Sequence, residues 1–168
     1  MNKDVLNFDK LLFEVKNMLL QNVQLRKLLV HHTPDALELM VPTIEQAESF
    51  ITVTPVIEEG LIVTDRNVQL VIDWANVDVD TDEDPTLYFS LCITVLCTDT
   101  CYTLSNNKTR LLGIVNEIIN SLDGKKVATH RPLKDITAVA VQRLSGGKHR
   151  VGAVVKFLCG DQRKEVDF

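Results

Sequence analysis

The stretch from Ser105 to Lys126 limits what this chain can fold into more than any other. It reads Ser-Asn-Asn-Lys-Thr-Arg-Leu-Leu-Gly-Ile-Val-Asn-Glu-Ile-Ile-Asn-Ser-Leu-Asp-Gly-Lys-Lys. Leu111, Leu112, Ile114, Val115, Ile118, Ile119 and Leu122 recur at intervals of three and four, which puts apolar groups on one face of an α-helix. Ser105, Asn106 and Asn107 can accept from the first free N–H groups, and Gly124 stands where a left-handed residue ends a helix. Lys125 and Lys126 follow at the negative end of the helix dipole. Stretches with strand character lie on both sides. The helix, expected over residues 107–122, should therefore cover one face of a sheet.

With 168 residues, 45% of them apolar and 24% charged, the chain has the size and composition of one globular domain. Charged or polar residues interrupt every apolar run before it reaches the length of a membrane span. The first ten residues lack the apolar segment and cleavage site of a signal peptide, so a reducing cytoplasm is the expected place of synthesis and assembly. Cys92, Cys97, Cys101 and Cys159 all sit in or beside apolar runs and are expected to be free, buried thiols. Cys97 and Cys101 are four apart, but no second ligand pair follows, so no metal or other cofactor is expected.

In chain order, residues 4–30 form a first amphipathic pattern within an N-terminal helical segment, residues 1–34, that Pro34 closes. His31 and His32 end it and are placed to meet its last carbonyls. Ile44 to Ser49 can make a helical turn, and Phe50-Ile-Thr-Val-Thr has β character up to Pro55. Ile62-Val-Thr and residues 67–75 read as strands, and 87–97, almost continuously apolar, reads as a central strand covered on both faces. Two further β runs, 136–144 and 149–158, flank Ser145-Gly-Gly-Lys148, a hairpin turn. Gly113 suits a close approach of a strand or a neighbouring chain to the long helix, and Gly152 a bulge or bend. The expected fold class is α+β: a mainly antiparallel β-sheet with one long helix packed on a face and an additional N-terminal helix. Residues 161–168 form a polar tail.

Two segments imitate ligand-binding motifs. Residues 76–86 form an acidic loop, and its carboxylates from Asp78 onward alternate like the start of a calcium loop. Glu83 stands where that loop needs glycine, however, and Phe89 where it needs the bidentate glutamate. Gly-Gly-Lys148 resembles the end of a phosphate loop, but Gln142 occupies the place of the upstream glycine. No catalytic constellation is recognisable. A small enzyme would have to rely on anion binding by Lys125, Lys126, His130 and Arg131, which read more simply as a solvated basic loop.

The net charge of −5 is unevenly distributed. Residues 1–123 hold 8 Lys/Arg against 19 Asp/Glu, and residues 124–168 hold 10 against 4, a division of −11 and +6. Opposite fields on two faces favour head-to-tail association with copies or neighbours. The expected interface residues are Asp78, Asp80, Asp82, Glu83 and Asp84 on the acidic side, and Arg143, Lys148, Arg150, Lys156, Arg163 and Lys164 on the basic side.

The order of elements is helix, extended arm, strand, acidic loop, strand, helix and hairpin. Together with Asn107-Lys-Thr-Arg-Leu-Leu-Gly-Ile-Val-Asn-Glu-Ile-Ile-Asn-Ser-Leu122 and Val151-Gly-Ala-Val-Val-Lys-Phe157, it resembles the tail-completion proteins of tailed bacteriophages, the tail-terminator and head-to-tail joining family. The resemblance covers roughly residues 1–160 as an order of elements. It implies a structural subunit of the virion neck or tail that closes with its copies into a ring, is assembled in the host cytoplasm and contacts portal, connector and tail proteins. DNA would pass through without specific binding, and an acidic loop lining the channel would keep phosphates from sticking. No membrane is involved and no catalytic residue is transferred. A soluble adaptor or assembly chaperone is the alternative.

Overall fold

The structure, a computed structural model, describes residues 8–53, 67–80, 86–127, 133–144 and 150–160. It is a mixed α+β fold. Helices α1 (Phe8–Gln21), α2 (Val23–Val30) and α3 (Ile44–Glu48) precede strands β1 (Ile51–Val53), β2 (Val68–Asp80) and β3 (Thr86–Thr98). A 3-10 turn (Asp99–Cys101) leads towards α4 (Arg110–Leu122), and β4 (Lys134–Leu144) and β5 (Arg150–Gly160) complete the order. The sheet has four long strands and one of three residues, in the order β1-β2-β3-β5-β4. All pairings are antiparallel except that of β1, which lies parallel to β2 with Ile51 opposite Leu70.

The N-terminal segment is two helices where its periodicity suggests one. Asn22 divides it, because its Oδ1 caps α2 by accepting from the Leu25 N–H at 2.9 Å. Its Nδ2 donates to Glu117 Oε2 and Ser121 Oγ of α4, each at 2.9 Å, so the break is also a staple between helices. The start of α4 differs from expectation as well. Thr109 is its N-cap, accepting from Leu112 N–H, while Asn107 takes a left-handed φ of 60° in the turn before it. Gly124 ends the helix with φ 67°, as its position in the sequence implied. The neighbour of Gly113 is α2 and not a strand, and a Cβ there would meet Leu28 Cδ1 at 3.4 Å, an ordinary contact that does not require glycine.

All three long helices lie on one face of the sheet. Leu11, Val15 and Leu19 of α1, Leu25 and Leu28 of α2, and Leu111, Ile114 and Ile118 of α4 share one buried cluster with Leu70, Ile72, Leu91, Ile93, Val155 and Phe157. α4 packs over β3 and β5, and α1 over β1 and β2. Strand β3 is central, and alternate residues Phe89, Leu91, Ile93, Val95 and Cys97 enter this core. The alternating side chains Ser90, Cys92, Thr94, Leu96 and Thr98 face away from the helices. Among them Cys92, Leu96 and Thr98 are still buried, whereas Ser90 and Thr94 are half-buried. Covering by helices is thus one-sided among the described residues.

The strands run further than the sequence suggested. β2 continues through Asp80 with an irregularity between Ala75 and Asp78, and β3 begins at Thr86, so Asp78 and Asp80 belong to a strand and not to a loop of residues 76–86. Gly152 makes no bulge: it keeps register with Leu96 on one side and Gln142 on the other. The irregularities of that hairpin fall instead between Lys134 and Ala138. Ile62-Val-Thr and the tail of residues 161–168 lie outside the described residues.

Candidate functional site

Register places the two charged hairpins at opposite ends of the sheet. Tyr88 of β3 faces Asp78 on one side and Gly160 on the other, whereas Cys97 faces Val68 and Val151. Val151 in turn faces Arg143, and Arg150 pairs with Thr98 and Leu144. The nine residue steps along β3 from Tyr88 to Cys97 correspond to about 30 Å. Asp78 and Asp80 therefore mark one end of the sheet, and Arg143 and Arg150 the other. At that separation they cannot pair within one chain. Lys156 lies between the ends, opposite Cys92, which in turn faces Asp73. Asp82, Glu83, Asp84, Lys148, Arg163 and Lys164 lie outside the described residues, as do His130 and Arg131.

On the sheet face away from the helices, Asp73, Cys92 and Lys156 form a row across three strands. Burial raises both the Asp73 carboxyl and the Cys92 thiol; Lys156 pulls the thiol down and Asp73 pushes it up. An un-ionised thiol between an acid and a base suits packing better than nucleophilic chemistry.

The basic end holds a polar cluster that the sequence did not announce. Arg110, the first residue of α4, is completely buried. Its Nε donates to Cys101 O at 2.7 Å, its Nη1 to Leu28 O at 2.8 Å and to His31 O, and its Nη2 to Thr33 O at 2.7 Å. Leu28 O belongs to the last turn of α2, where carbonyls lack helical partners and the dipole favours a cation. The guanidinium thus gathers the end of α2, the following loop and the 3-10 turn around one point. Its fork of donors suits four carbonyls fixed in different directions, which a lysine ammonium could not reach together. Burial pushes its pKa below the ordinary value, but an arginine stays charged.

Next to it Cys97 and Cys101 bring their sulfurs within 3.5 Å. Cys101 Sγ is also 3.5 Å from Thr98 Oγ1 and 3.6 Å from Asn67 O. Cys101 is the more acidic partner. Hydrogen bonding from Cys97 favours its thiolate most, with Thr98 and the Arg110 charge acting the same way against burial. Cys97 is pushed up, first by its bond to Cys101 and then by burial. All four cysteines are free and buried, and no group of three or more metal-ligating side chains occurs among the described residues.

A hydrogen-bonded chain joins this pair to His32. Thr98 Oγ1 donates to Asn67 Oδ1 at 3.4 Å, and Asn67 Nδ2 lies 3.4 Å from His32 Nδ1. His32 Nε2 meets Leu29 O at 3.1 Å, and the ring stands edge-on to Phe50 with centroids 5.7 Å apart. These contacts suit the neutral ring protonated on Nε2. Burial is the main cause that holds His32 below its ordinary 6.5; the Leu29 bond opposes it, while Arg110 and His31 add to it. With the folded pKa depressed, the His32 contribution to stability is complete above about pH 6.5 and declines as pH falls through and below that value. The denaturant midpoint should therefore drop between about pH 7.5 and about pH 5.5, and His32→Gln should flatten that part of the profile. An identical drop in the variant would show that another group is responsible.

Both histidines stand at the helix end, as the sequence implied, but only the His32 ring meets one of its last carbonyls, Leu29 O; His31 caps α2 through its backbone N–H to Lys27 O, and its ring turns to Met40 O outside the helix. The Cys97/Cys101 spacing was visible too. Arg110 was missed, because beside Lys108 it reads as an ordinary charge in the first turn of a helix. The one available signal was its spacing, four residues before Ile114 and eight before Ile118, which sets its stem on the inward face of α4. No helix among the described residues is long and apolar enough to cross a membrane. No protein-family model matches the chain, and no curated protein matches its sequence.

Proposed function

We propose that the chain is a structural subunit of a phage neck or tail ring, which associates head to tail to cap or join the tail and connector. The observation that supports this most is the separation of charge along the sheet. Asp78 and Asp80 lie at one end and Arg143 and Arg150 at the other, too far apart to neutralise each other within a subunit. Head-to-tail contact between copies brings unlike ends together, and a contact of that kind closes into a ring when its rotation allows. Each exposed pair contributes only about 0–1 kcal/mol, so apolar contact must supply the affinity, and charge sets register and approach rate. Phe13, Met40, Val41 and Leu112 are exposed apolar side chains on the helical side of the sheet and in its connections that such a contact can use.

Sedimentation tests the reading. The wild-type chain, alone or mixed with portal and tail components, should give particles several times its 18.9 kDa mass, and added salt should slow their formation. A chain that is 18.9 kDa alone and adds only that single mass to one partner in a mixture would be an adaptor or chaperone.

A further inference from the structure

We propose that Cys97 and Cys101 are a modification site: a buried dithiol that a hydroperoxide converts to an intramolecular disulfide, tying the end of β3 to the turn held by Arg110. The sulfurs already lie 3.5 Å apart, so closure to bonding distance needs a movement of side chains rather than of elements. Cys97 is the last inward-facing residue of β3, and Cys101 closes the 3-10 turn that follows. Cys101 is the less enclosed, with 3% of its surface exposed against none for Cys97, and it is where the peroxide is attacked. The other two cysteines are placed apart. Cys92 is on the opposite face of β3, and Cys159 is opposite Phe89, eight residues or about 26 Å along that strand from Cys97. Burial also pushes the Cys159 thiol up to about 12, which leaves little thiolate for reaction.

The chemistry balances in two steps. The Cys101 sulfur attacks one peroxide oxygen, forming S–O and breaking O–O, and the departing oxygen leaves as water with the thiol's proton. The Cys97 sulfur then attacks the sulfenic sulfur, forming S–S and breaking S–O, and the hydroxyl leaves as water with the Cys97 proton. The two sulfurs lose two electrons and hydrogen peroxide gains them. The Arg110 charge favours the Cys101 thiolate, the reactive form, and Thr98 Oγ1, 3.5 Å from that sulfur, adds to this when its hydroxyl turns from Asn67 to donate to it. The product links the last residues of β3 to the turn whose carbonyl accepts from Arg110 Nε. It would fix that carbonyl to the end of β3.

Mass spectrometry of the full chain after treatment with hydrogen peroxide is the test. The expected product is lighter by two hydrogens and keeps two alkylatable thiols, and cleavage with trypsin and chymotrypsin locates the link between Cys97 and Cys101. Dithiothreitol should restore all four thiols. Cys92→Ser should give the same link, and Cys97→Ser should stop at a sulfenic acid on Cys101 that a cyclic dione traps. Four alkylatable thiols after treatment, over-oxidation of Cys101 without a link, or a link to Cys92 or Cys159 would each overturn the proposal. The decisive reading is on the wild-type chain and does not depend on a variant that folds.

Discussion

Arg110→Met should destabilise the fold by about 3–5 kcal/mol, the cost of breaking a buried charged network from one side. Methionine replaces much of the stem but removes every donor, so the carbonyls of Cys101, Leu28, His31 and Thr33 lose their common partner. Each buried carbonyl left alone costs about 1–3 kcal/mol before relaxation, and water entering the site recovers part of that. In a domain of this size the loss corresponds to a melting temperature lower by roughly 6–20 °C. Arg110→Lys keeps the charge and should still be clearly destabilised, because an ammonium cannot fork to four directions. If Lys restores wild-type stability, charge matters here and geometry does not. If Met melts like wild type, Arg110 is not the tie between α2, its loop and the 3-10 turn.

Ile118→Asp is the second large effect, about 4 kcal/mol or more. Ile118 is fully buried in the cluster that α4 shares with the sheet. A carboxylate there has no partner and must either ionise in an apolar setting or take up a proton at a cost. Leu112→Asp on the same helix is the matched control. Leu112 is 48% exposed, so this change should stay within about 0.5 kcal/mol of wild type. Thermal or denaturant unfolding of both variants compares the two faces directly. Equal melting would mean that the inward face of α4 is wrongly assigned.

The same two residues show how far the sequence reaches. Spacing alone grouped Leu112 with Ile118, since both recur on the apolar stripe, but the stripe is wider than the surface α4 buries. Strand identity was legible because β-branched and aromatic runs alternate or saturate over 67–75, 87–97, 136–144 and 149–158. Strand ends were not, since Asp78 and Asp80 look like loop residues until pairing with Tyr88 and Thr86 extends β2 through them. The parallel contact of β1 with β2 was invisible, because nothing local to Ile51–Val53 specifies a partner in the chain. Asn22 was hidden for a related reason. Its side chain both caps α2 and reaches α4, a contact ninety-five residues away that periodicity cannot encode. Of the candidate site, the charge partition could be read from composition, but its arrangement at opposite ends needed the register of four strands.

Charge exchange between the two ends of the sheet distinguishes head-to-tail pairing from any other association. Arg143, Lys148 and Arg150 changed together to Glu should leave the fold intact and shift sedimentation towards the 18.9 kDa chain. Asp78, Asp80, Asp82 and Asp84 changed together to Lys should do the same. A chain carrying both sets again has unlike ends, and it should recover the wild-type particles along with their sensitivity to salt. Wild-type particles from either single set, or no recovery when both are combined in a folded chain, would contradict head-to-tail pairing through the ends of the sheet.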